Sequence, residues 1–379
     1  MEFGFTSEQE MLRKSVREFA EAEIKPKVQH MDETGEVPTD VIEKMAKLGF
    51  MGIMVPHEFG GLGGGHIART IMLEEIGRVS AAMANTLQVI HLGISPIVTD
   101  GSQEQKAKWL PLLARGEKLS TFGVTEPVGG SDILGIQTTA KREGDEYVIN
   151  GRKCFITNSH LAGIFGIVAK TGEGSKGLTA FVVQSDYAGF RPGREENKVG
   201  LRGCNTGELI FQNCRVPKEN VIGKEGDGLK IAISAISNVG RPGITCGALG
   251  IIHSCLKEAV AYSKQRVLYG KPISELQAIQ WKLTDIYMDL EASRLLTYYS
   301  AWLRDKGERC DSENAMAKFS ATEGAVRCAQ KTIEIFGAYG CMRELAPQRL
   351  LRDAELFISG AGTSEVMRLL MARKALTMA

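Results

Sequence analysis

The sequence has no closely paired cysteines and no clustered histidines. Its eight cysteines lie scattered between Cys154 and Cys341 without a C-x-x-C pair, and its six histidines are far apart. Zinc sites and disulfide frameworks show paired or regularly spaced ligands. We therefore expect no metal centre and no disulfide framework in this chain.

An excess of charge of one sign is also lacking. The chain has 46 basic and 45 acidic residues, a formal net charge of +1, so nothing attracts a nucleic acid. The first residues, Met-Glu-Phe-Gly-Phe-Thr-Ser-Glu, have neither the basic nor the apolar region of a secretory signal. No apolar run approaches the roughly 20 residues of a membrane-spanning helix. These absences predict a cytoplasmic protein that binds no nucleic acid and is not inserted in a membrane.

Helical patterning dominates the first third. The chain has 379 residues, 43% of them hydrophobic, which is ordinary globular usage for roughly two or three domains. Thr6 with Gln9, and Ser102 with Gln105, form capping-box patterns. Thr39 is predicted to cap a further helix that ends at Gly49. An all-α N-terminal domain is therefore predicted for residues 1–120.

The middle of the chain is patterned as strands. Short β-type runs occur at 119–124, 146–149, 153–157, 178–183 and 208–211. Asn150-Gly151 lies between two of these runs, and this pair is the strongest short signal for a hairpin turn. We expect an antiparallel sheet or small barrel over residues 121–226.

Helical periodicity then returns and continues to the C-terminus. Long helices are predicted over 230–265, 277–305 and 312–336, which indicates an antiparallel bundle in residues 227–379. The predicted class is α+β and multidomain, with helical, β and helical domains in that order.

One loop stands out as a binding segment. In residues 121–132, a strand runs into a turn with proline and glycine and then into Ser131-Asp132. Such a turn exposes backbone N–H groups and a hydroxyl that can hold a diphosphate.

Several segments in this order resemble the acyl-CoA dehydrogenases. They are Val124-Thr125-Glu126-Pro127, Gly130-Ser131-Asp132, the stretch from Asn150-Gly151 to Asn158, Asn205-Thr206, and Arg352-Asp353-Ala354. The resemblance covers essentially the whole chain. It implies bound FAD, an N-terminal helical, a middle β and a C-terminal four-helix-bundle domain, and a homotetramer. It also implies an acyl thioester of coenzyme A or acyl carrier protein as substrate, and an electron acceptor such as an electron-transferring flavoprotein.

The resemblance also implies roles for particular residues. The isoalloxazine would contact Phe122, Val124, Thr125, Phe155, Ile156 and Thr157. Ser131 would reach phosphate groups and the substrate, and Asn238 and Arg241 would bind the pantetheine or nucleotide side of the thioester. Five residues of one subunit would bind the adenosine diphosphate half of the FAD in a neighbouring subunit. They are Arg266, Tyr269, Gln277, Glu334 and Gly337. Thr363 and Glu365, in the last motif, would also face FAD. The family's Gln-x-x-Gly-Gly segment reads Glu334-Ile335-Phe336-Gly337-Ala338 here, and its two departures weaken the adenine-side assignment.

The catalytic base of the family is missing from both of its known positions. The resemblance places that carboxylate just before Gly362-Thr363-Ser364, where this chain has Ala361. Some members carry it beside the arginine that opens the first bundle helix, where this chain has Gly240 before Arg241. A positioned base is worth about 10²- to 10⁴-fold in rate. The backbone N–H of Ala361 can still polarise a thioester carbonyl.

Three hypotheses follow from the missing base. The first is α,β-dehydrogenation of an acyl thioester, or the reverse reduction, with a base from another position. His91 and Gln88 lie in the right region for such a base, but Gln88 cannot accept a proton. The second is oxidation of a β-hydroxyl on a carrier-bound seryl- or glyceryl-type thioester, as in the synthesis of extender units, which needs no base at the α-carbon. The third is a catalytically silent flavoprotein.

Overall fold

The N-terminal third is helical. The computed structural model describes residues 4–378, and the capping boxes at Thr6 and Ser102 are both formed. The helices are α1 (Ser7–Phe19), α2 (Val28–Thr34), α3 (Thr39–Lys47), α4 (Gly65–Gly77), α5 (Ala81–Asp100) and α6 (Gln103–Ala114). The predicted cap at Thr39 is wrong. Helix α3 follows Pro38 without a side-chain cap, because Thr39 is already its first helical residue.

Eight strands form the middle sheet. They are β1 (Ser120–Gly123), β2 (Thr139–Glu143), β3 (Glu146–Thr157), β4 (Ile164–Lys170), β5 (Leu178–Gln184), β6 (Phe190–Glu195), β7 (Thr206–Pro217) and β8 (Val221–Ile222). The order across the sheet is β6-β7-β3-β2-β4-β5-β8, and β1 runs parallel to β4.

The predicted hairpin turn at Asn150-Gly151 is wrong. Both residues lie inside the single strand β3, where its register with β7 shifts between Ile149 and Gly151. A Cβ on Gly151 would lie 2.7 Å from the Cα of Thr138, so the glycine serves a bulge and a close backbone approach. The hairpin turn is instead at Gly144-Asp145, between β2 and β3.

Strands β4 and β5 are buried on both faces. Ile164 and Val168 pack into the large core that the strands share with the helices, whereas Phe165 and Ile167 pack into a second core within the sheet. Alternate residues of a strand point to opposite faces, so β4 joins the two cores.

The C-terminal third is a helical bundle. Its elements are α7 (Gly228–Ala235), α8 (Arg241–Gln265), a small hairpin of β9 (Val267–Leu268) and β10 (Lys271–Pro272), and then α9 (Gln277–Asp305), α10 (Asp311–Phe336), α11 (Ala346–Ser359) and α12 (Ser364–Ala375). Helix α10 packs against α8, α9, α11 and α12. The predicted order of helical, β and helical parts is confirmed, and the predicted boundaries at 120 and 226 stay a prediction.

A π-helical segment, Ile236–Gly240, joins α7 to α8. Pro242 follows it within the first turn of α8, and proline has no N–H for the regular ladder. Single π-helical turns are frequent at functional sites, and this one carries Gly240 beside Arg241.

Two helices reach the length and hydropathy of a membrane span. Ala81–Asp100 and Gly228–Gln265 each have a window of mean hydropathy 1.3, so the prediction that no apolar run reaches that length is wrong. However, 89% and 61% of these windows are buried inside the molecule. Their hydropathy is accounted for by core packing.

Helices α4 and α8 cross with their backbones in contact. A Cβ on Gly250 would lie 2.3 Å from the carbonyl carbon of Gly77, a separation that no side chain can accept. The crossing fixes how closely α8 approaches the N-terminal helices.

We expect Gly250→Ala to destabilise the protein by about 1–3 kcal/mol, because the methyl group would push α8 away from α4. Thermal or denaturant unfolding measures this change. Gly240→Ala is the matched control, since its Cβ would meet only ordinary contacts, the nearest being Ala361 Cβ at 3.5 Å. Equal stability of the two variants would show that the crossing is not tight.

Candidate active site

A cavity of about 470 Å³ lies where the sheet meets α5, α8 and α11. All six residues that the sequence analysis assigned to the isoalloxazine line it: Phe122, Val124, Thr125, Phe155, Ile156 and Thr157. Ala361 lines it as well. The structure therefore brings the predicted flavin contacts and the predicted position of the base to one cavity.

The sheet side of the cavity offers hydrogen-bond donors. Within residues 4–378, neither the backbone N–H of Val124 nor that of Thr125 has a protein acceptor, and the Thr125 hydroxyl also has no partner. Phe155 sits in a bulge of β3 at φ 56° with 64% of its surface exposed. Strained residues and exposed aromatics of this kind cluster at ligand sites. Free donors beside an aromatic wall fit a flavin ring, whose pyrimidine edge carries acceptors.

A buried ion pair supports this wall from behind. Lys153 Nζ donates to Glu126 Oε1 at 2.7 Å and to the Val124 carbonyl oxygen at 3.2 Å. The Glu126 carboxylate also accepts the N–H groups of Gln137 and Thr138 at 2.6 and 3.0 Å. Burial by itself raises the pKa of Glu126, but the Lys153 charge and these hydrogen bonds hold it below its ordinary value. The pair thus fixes the backbone of the Val124-Thr125 turn.

Three side chains hold the end of α11, the loop after it and the start of α12. Lys318 Nζ donates to the Ile358 carbonyl oxygen at 2.7 Å, and Arg241 Nε donates to the Ala361 carbonyl oxygen at 3.3 Å. Ser364 Oγ donates to Glu323 at 2.5 Å. Ala361 has a left-handed φ of 53°, and its N–H has no acceptor among the described residues.

The two positions that could carry the base face each other. A Cβ on Gly240 would lie 3.5 Å from Ala361 Cβ and 3.7 Å from Leu92. No acidic residue occurs among the described residues that line the cavity, and Lys198 is its one ionisable side chain. Within residues 4–378, no carboxylate therefore lines this cavity to take a proton.

His91 does not supply the missing base. Its Nε2 bonds the Phe50 carbonyl oxygen at 2.9 Å, and its Nδ1 accepts from Arg69 Nε at 3.2 Å. Burial and the Arg69 charge lower its pKa to about 3. His91 is therefore a neutral core histidine, and it lines a different cavity.

That second cavity, of about 220 Å³, contains Asn238. Asn238 Oδ1 accepts from Arg304 Nη1 at 2.5 Å, and Arg304 Nη2 donates to the Ser237 carbonyl oxygen at 2.6 Å. Arg241 does not line either cavity and instead donates to Ser237 Oγ and the Ala361 carbonyl oxygen. Neither of the two predicted thioester contacts therefore lines the cavity that contains the predicted flavin contacts.

The residues predicted to bind the adenosine diphosphate half of FAD lie away from the cavity that contains the predicted flavin contacts. Tyr269 is 91% exposed, at the tip of the β9–β10 hairpin. Arg266, Gln277, Glu334 and Gly337 are also exposed, and Glu334 pairs with Lys282. Ser131 and Glu365 are exposed as well, whereas Thr363 caps α12 by accepting the Val366 N–H at 3.4 Å. None of them lines the cavity, and their predicted roles stay predictions.

Sequence reasoning missed much of the helical wall. Seven further helical residues line the cavity but belong to no recognisable sequence motif. They are Asn85, Val89, Leu92, Ile236, Ile244, Leu356 and Phe357. Arg69 was also missed. Its signal was a lone charge in residues 67–73, where Thr70 is the only other polar residue.

Comparisons with known proteins agree with this architecture. The chain matches the sequence models of the acyl-CoA dehydrogenase N-terminal domain over residues 6–117, the middle domain over 121–214 and the C-terminal domain over 226–376. It is 44% identical over 371 residues to an acyl-CoA dehydrogenase of Bacillus subtilis, covering 97% of this chain and 98% of the relative.

Two further similarities cover nearly the whole chain. The structure of butyryl-CoA dehydrogenase from Megasphaera elsdenii superposes with a TM-score of 0.97 at 36% identity, over 99% of this chain and 100% of that one. Subunit CarC of the caffeyl-CoA reductase-Etf complex of Acetobacterium woodii is 38% identical over 97% of this chain and 98% of its own length.

We expect Glu126→Gln to destabilise the protein by about 3–5 kcal/mol at neutral pH, because it leaves Lys153 buried without a counter-charge. The pKa of Glu126 is lowered from its ordinary 4.5, so its contribution is complete above pH 4.5 and is lost as the pH falls through the folded value. The difference in free energy of unfolding between wild type and variant, measured by denaturant unfolding, should become smaller below pH 4.5. Glu117→Gln breaks the exposed Arg115–Glu117 pair and should change little. A small difference in the free energy of unfolding, or one that does not depend on pH, would contradict the stabilising role of the Lys153–Glu126 pair.

Proposed function

The chain belongs to the acyl-CoA dehydrogenase family, and on that premise we propose how its residues serve the reaction. It is an FAD-dependent oxidoreductase that acts on the CH–CH bond of an acyl thioester. The substrate loses an α-proton and a β-hydride as its C=C bond forms, and bound FAD supplies the chemistry of hydride acceptance. The cavity that unites the predicted flavin contacts with Ala361 carries this proposal.

The sheet side would bind and orient the flavin. Phe122, Phe155 and Ile156 would form the apolar wall, while the free N–H groups of Val124 and Thr125 would meet acceptors at the ring edge. Thr157 would complete this wall, and Ser131 would reach phosphate. The Lys153–Glu126 pair would keep these donors in place without touching the ligand.

Ala361 would act through its backbone. Its unpaired N–H would donate to the thioester carbonyl oxygen, which stabilises the charge that develops when the α-proton leaves. Arg241 would hold this loop through its bond to the Ala361 carbonyl oxygen, and Thr363 would fix the start of α12 behind it. Because no carboxylate faces the α-carbon, release of the α-proton would limit the rate.

The remaining assignments extend the proposal to partners. The chain would form a homotetramer in which Arg266, Tyr269, Gln277, Glu334 and Gly337 reach a neighbouring subunit's FAD, with Glu365 near the same cofactor. An electron-transferring flavoprotein would reoxidise it, in line with the Etf complex of the relative CarC. Coenzyme A or an acyl carrier protein would carry the acyl group. The eight cysteines are all free in the structure, seven of them buried, which suits a reducing cytoplasm.

Anaerobic mixing of the purified flavoprotein with butyryl-CoA tests the reaction, and we expect the flavin absorbance near its visible maximum to bleach. Bleaching by 3-hydroxyacyl thioesters alone would replace dehydrogenation with hydroxyl oxidation. No bleaching by acyl or hydroxyacyl thioesters on either carrier would leave a silent flavoprotein. The relatives are dehydrogenases and a reductase of acyl thioesters, which favours the first outcome.

We expect Ala361→Glu to accelerate bleaching by butyryl-CoA, by about 10²-fold or more if the new carboxylate reaches the α-carbon. Gly240→Glu should act similarly from the facing helix, since the two positions are in contact distance. Ser359→Glu is the matched control, because it adds a carboxylate to the same cavity rim two residues from the base position. Rates that stay at the wild-type level in both test variants would show that neither position faces the α-carbon.

A further inference from the structure

The loop between β6 and β7, residues 196–205, forms part of the wall of the active-site cavity. Lys198, Val199 and Leu201 of this β6–β7 loop line the cavity, and so does Thr206, where β7 begins. Val199 keeps 63% of its surface exposed, whereas Leu201 is buried with 4% exposed. Val199 therefore lies at the rim of the cavity, and the backbone of the loop decides where that rim is.

Helix α11 supports the β6–β7 loop from behind. A Cβ on Gly200 would lie 2.2 Å from the Arg352 carbonyl oxygen, so the loop backbone rests directly on the helix. Asp353 Oδ1 accepts the Leu201 N–H at 2.6 Å, and Arg352 Nη1 donates to the Val199 carbonyl oxygen at 3.0 Å. Asp353 is 6% exposed and does not line the cavity. It can act on the cavity only through the loop.

The conformation of Leu201 depends on this support. Its φ is 50°, in the left-handed region that is uncommon for a residue with a side chain. Such a conformation persists only where the surroundings hold it. A hydrogen bond to an ionised carboxylate is about twice as strong as one to a neutral acceptor. The charged form of Asp353 therefore holds Leu201 more firmly than the protonated form does.

Arg352 and Asp353 are adjacent in sequence but differ in their partners. The Arg352 guanidinium pairs with the Asp32 carboxylate of α2 at 2.8 and 2.5 Å. Within residues 4–378, no basic side chain forms an ion pair with Asp353, and Arg349 attracts it only from a longer distance. The hydrogen bond to Leu201 is the one that its side chain makes in this part of the chain. Asp353 is thus a buried carboxylate directed at the loop.

The charge of Asp353 does not serve the stability of the fold. Burial raises its pKa to about 6, and the Asp32 charge acts in the same direction, whereas the Leu201 N–H and the Arg349 and Arg352 charges oppose this shift. Because this value lies above the ordinary 3.8, the protonated form is favoured in the folded protein. The stability that it contributes is complete below pH 3.8 and is lost as the pH rises through about 6.

We propose that Asp353 is a positioning residue for the reaction, whose ionised carboxylate holds Leu201, and with it the rim at Val199, against the bound acyl thioester. Asp353 itself touches neither the substrate nor the flavin. This inference rests on the proposed function, because it takes the ligand of the cavity to be an acyl thioester beside FAD.

Asp353→Asn in the FAD-loaded protein tests the proposal, because the amide oxygen can still accept the Leu201 N–H but carries no charge. We expect the variant to be at least as stable as the wild type at pH 7.5, since it removes a buried charge. It should nevertheless bind a thioester about fivefold or more weakly, because a charge-assisted hydrogen bond becomes a neutral one. Thermal unfolding measures the stability. A residue with a merely structural role would lose stability and binding together.

The probe for binding is the coenzyme A thioester of 3-thiabutyrate, a butyryl analogue in which sulfur replaces the β-carbon, so that no hydride can leave. Titration of the flavin absorbance gives its dissociation constant. The ratio of the dissociation constants of variant and wild type is the quantity compared, because titration of the coenzyme's own phosphates is common to both proteins. Asp145→Asn is the matched control, since it removes an exposed carboxylate that pairs with Lys218, and its ratio should stay near one.

The pH dependence of this ratio separates charge from shape. We expect the ratio for Asp353→Asn to fall towards one between pH 7.5 and pH 5, with its midpoint near the pKa of Asp353, about 6. The wild type loses its charge in this range and the variant has none to lose. If Asp353→Asn does not fold, hydrogen exchange of the β6–β7 loop in the wild type still decides the question. After correction for the intrinsic effect of pH, the protection of the Leu201 amide should decrease from pH 7.5 to pH 5.

The outcomes distinguish this proposal from the function on which it rests. A ratio near one at every pH, together with bleaching by butyryl-CoA, would overturn the role of Asp353 and leave the dehydrogenase function intact. A variant that is less stable and binds more weakly by the same factor at every pH would make Asp353 a structural residue and also overturn the proposal. A wild type that neither binds the probe nor is bleached by any thioester would count against the function itself.

Discussion

The backbone contact between α4 and α8 is the constraint on which the site depends. The two helices approach so closely that no side chain fits at Gly250, where a Cβ would lie 2.3 Å from the carbonyl carbon of Gly77. With α8 at this depth, Gly243 rests on Gln88 and Arg69, and Gly240 faces Ala361. Bulkier residues at the crossing would move all of these contacts together, because a helix shifts as a rigid element. The glycines are therefore structural determinants of a cavity that they do not line.

The two sides of the cavity differ in the chemical groups they present. The sheet side has free N–H donors, an exposed aromatic residue and a buried ion pair that supports them. The helical side has Ala361 and Gly240 at the two positions where the resemblance predicts an acid, and the buried Arg69 packs behind Gln88. The residues predicted to contact the cofactor and the positions predicted to hold the base therefore belong to different walls of one cavity.

Local signals predicted local structure well and long-range placement poorly. The capping boxes at Thr6 and Ser102 depend on residues three apart, and both are formed. Asn150-Gly151 carried an equally strong local signal, but pairing with β7 and the close approach of Thr138 turned it into a bulge. The residues predicted to contact the flavin form sequence motifs, which is why the sequence could single them out before the structure placed them in one cavity. The apolar helical wall and Arg69 have no motif, since their positions follow from how α4, α5 and α8 pack.

Strands β4 and β5 have one face in each of the two hydrophobic cores. If one core loses its packing, β4 and β5 are no longer held in place. The residues on their other face then lose their contacts in the second core as well. The helical thirds and the sheet should therefore lose their structure in a single cooperative transition, although the chain divides into three parts by its pattern of elements. Evolution of such a chain is correspondingly constrained: a sheet substitution that suits one core must also be tolerated by the other, so these strands are expected to change more slowly than the helices that surround them.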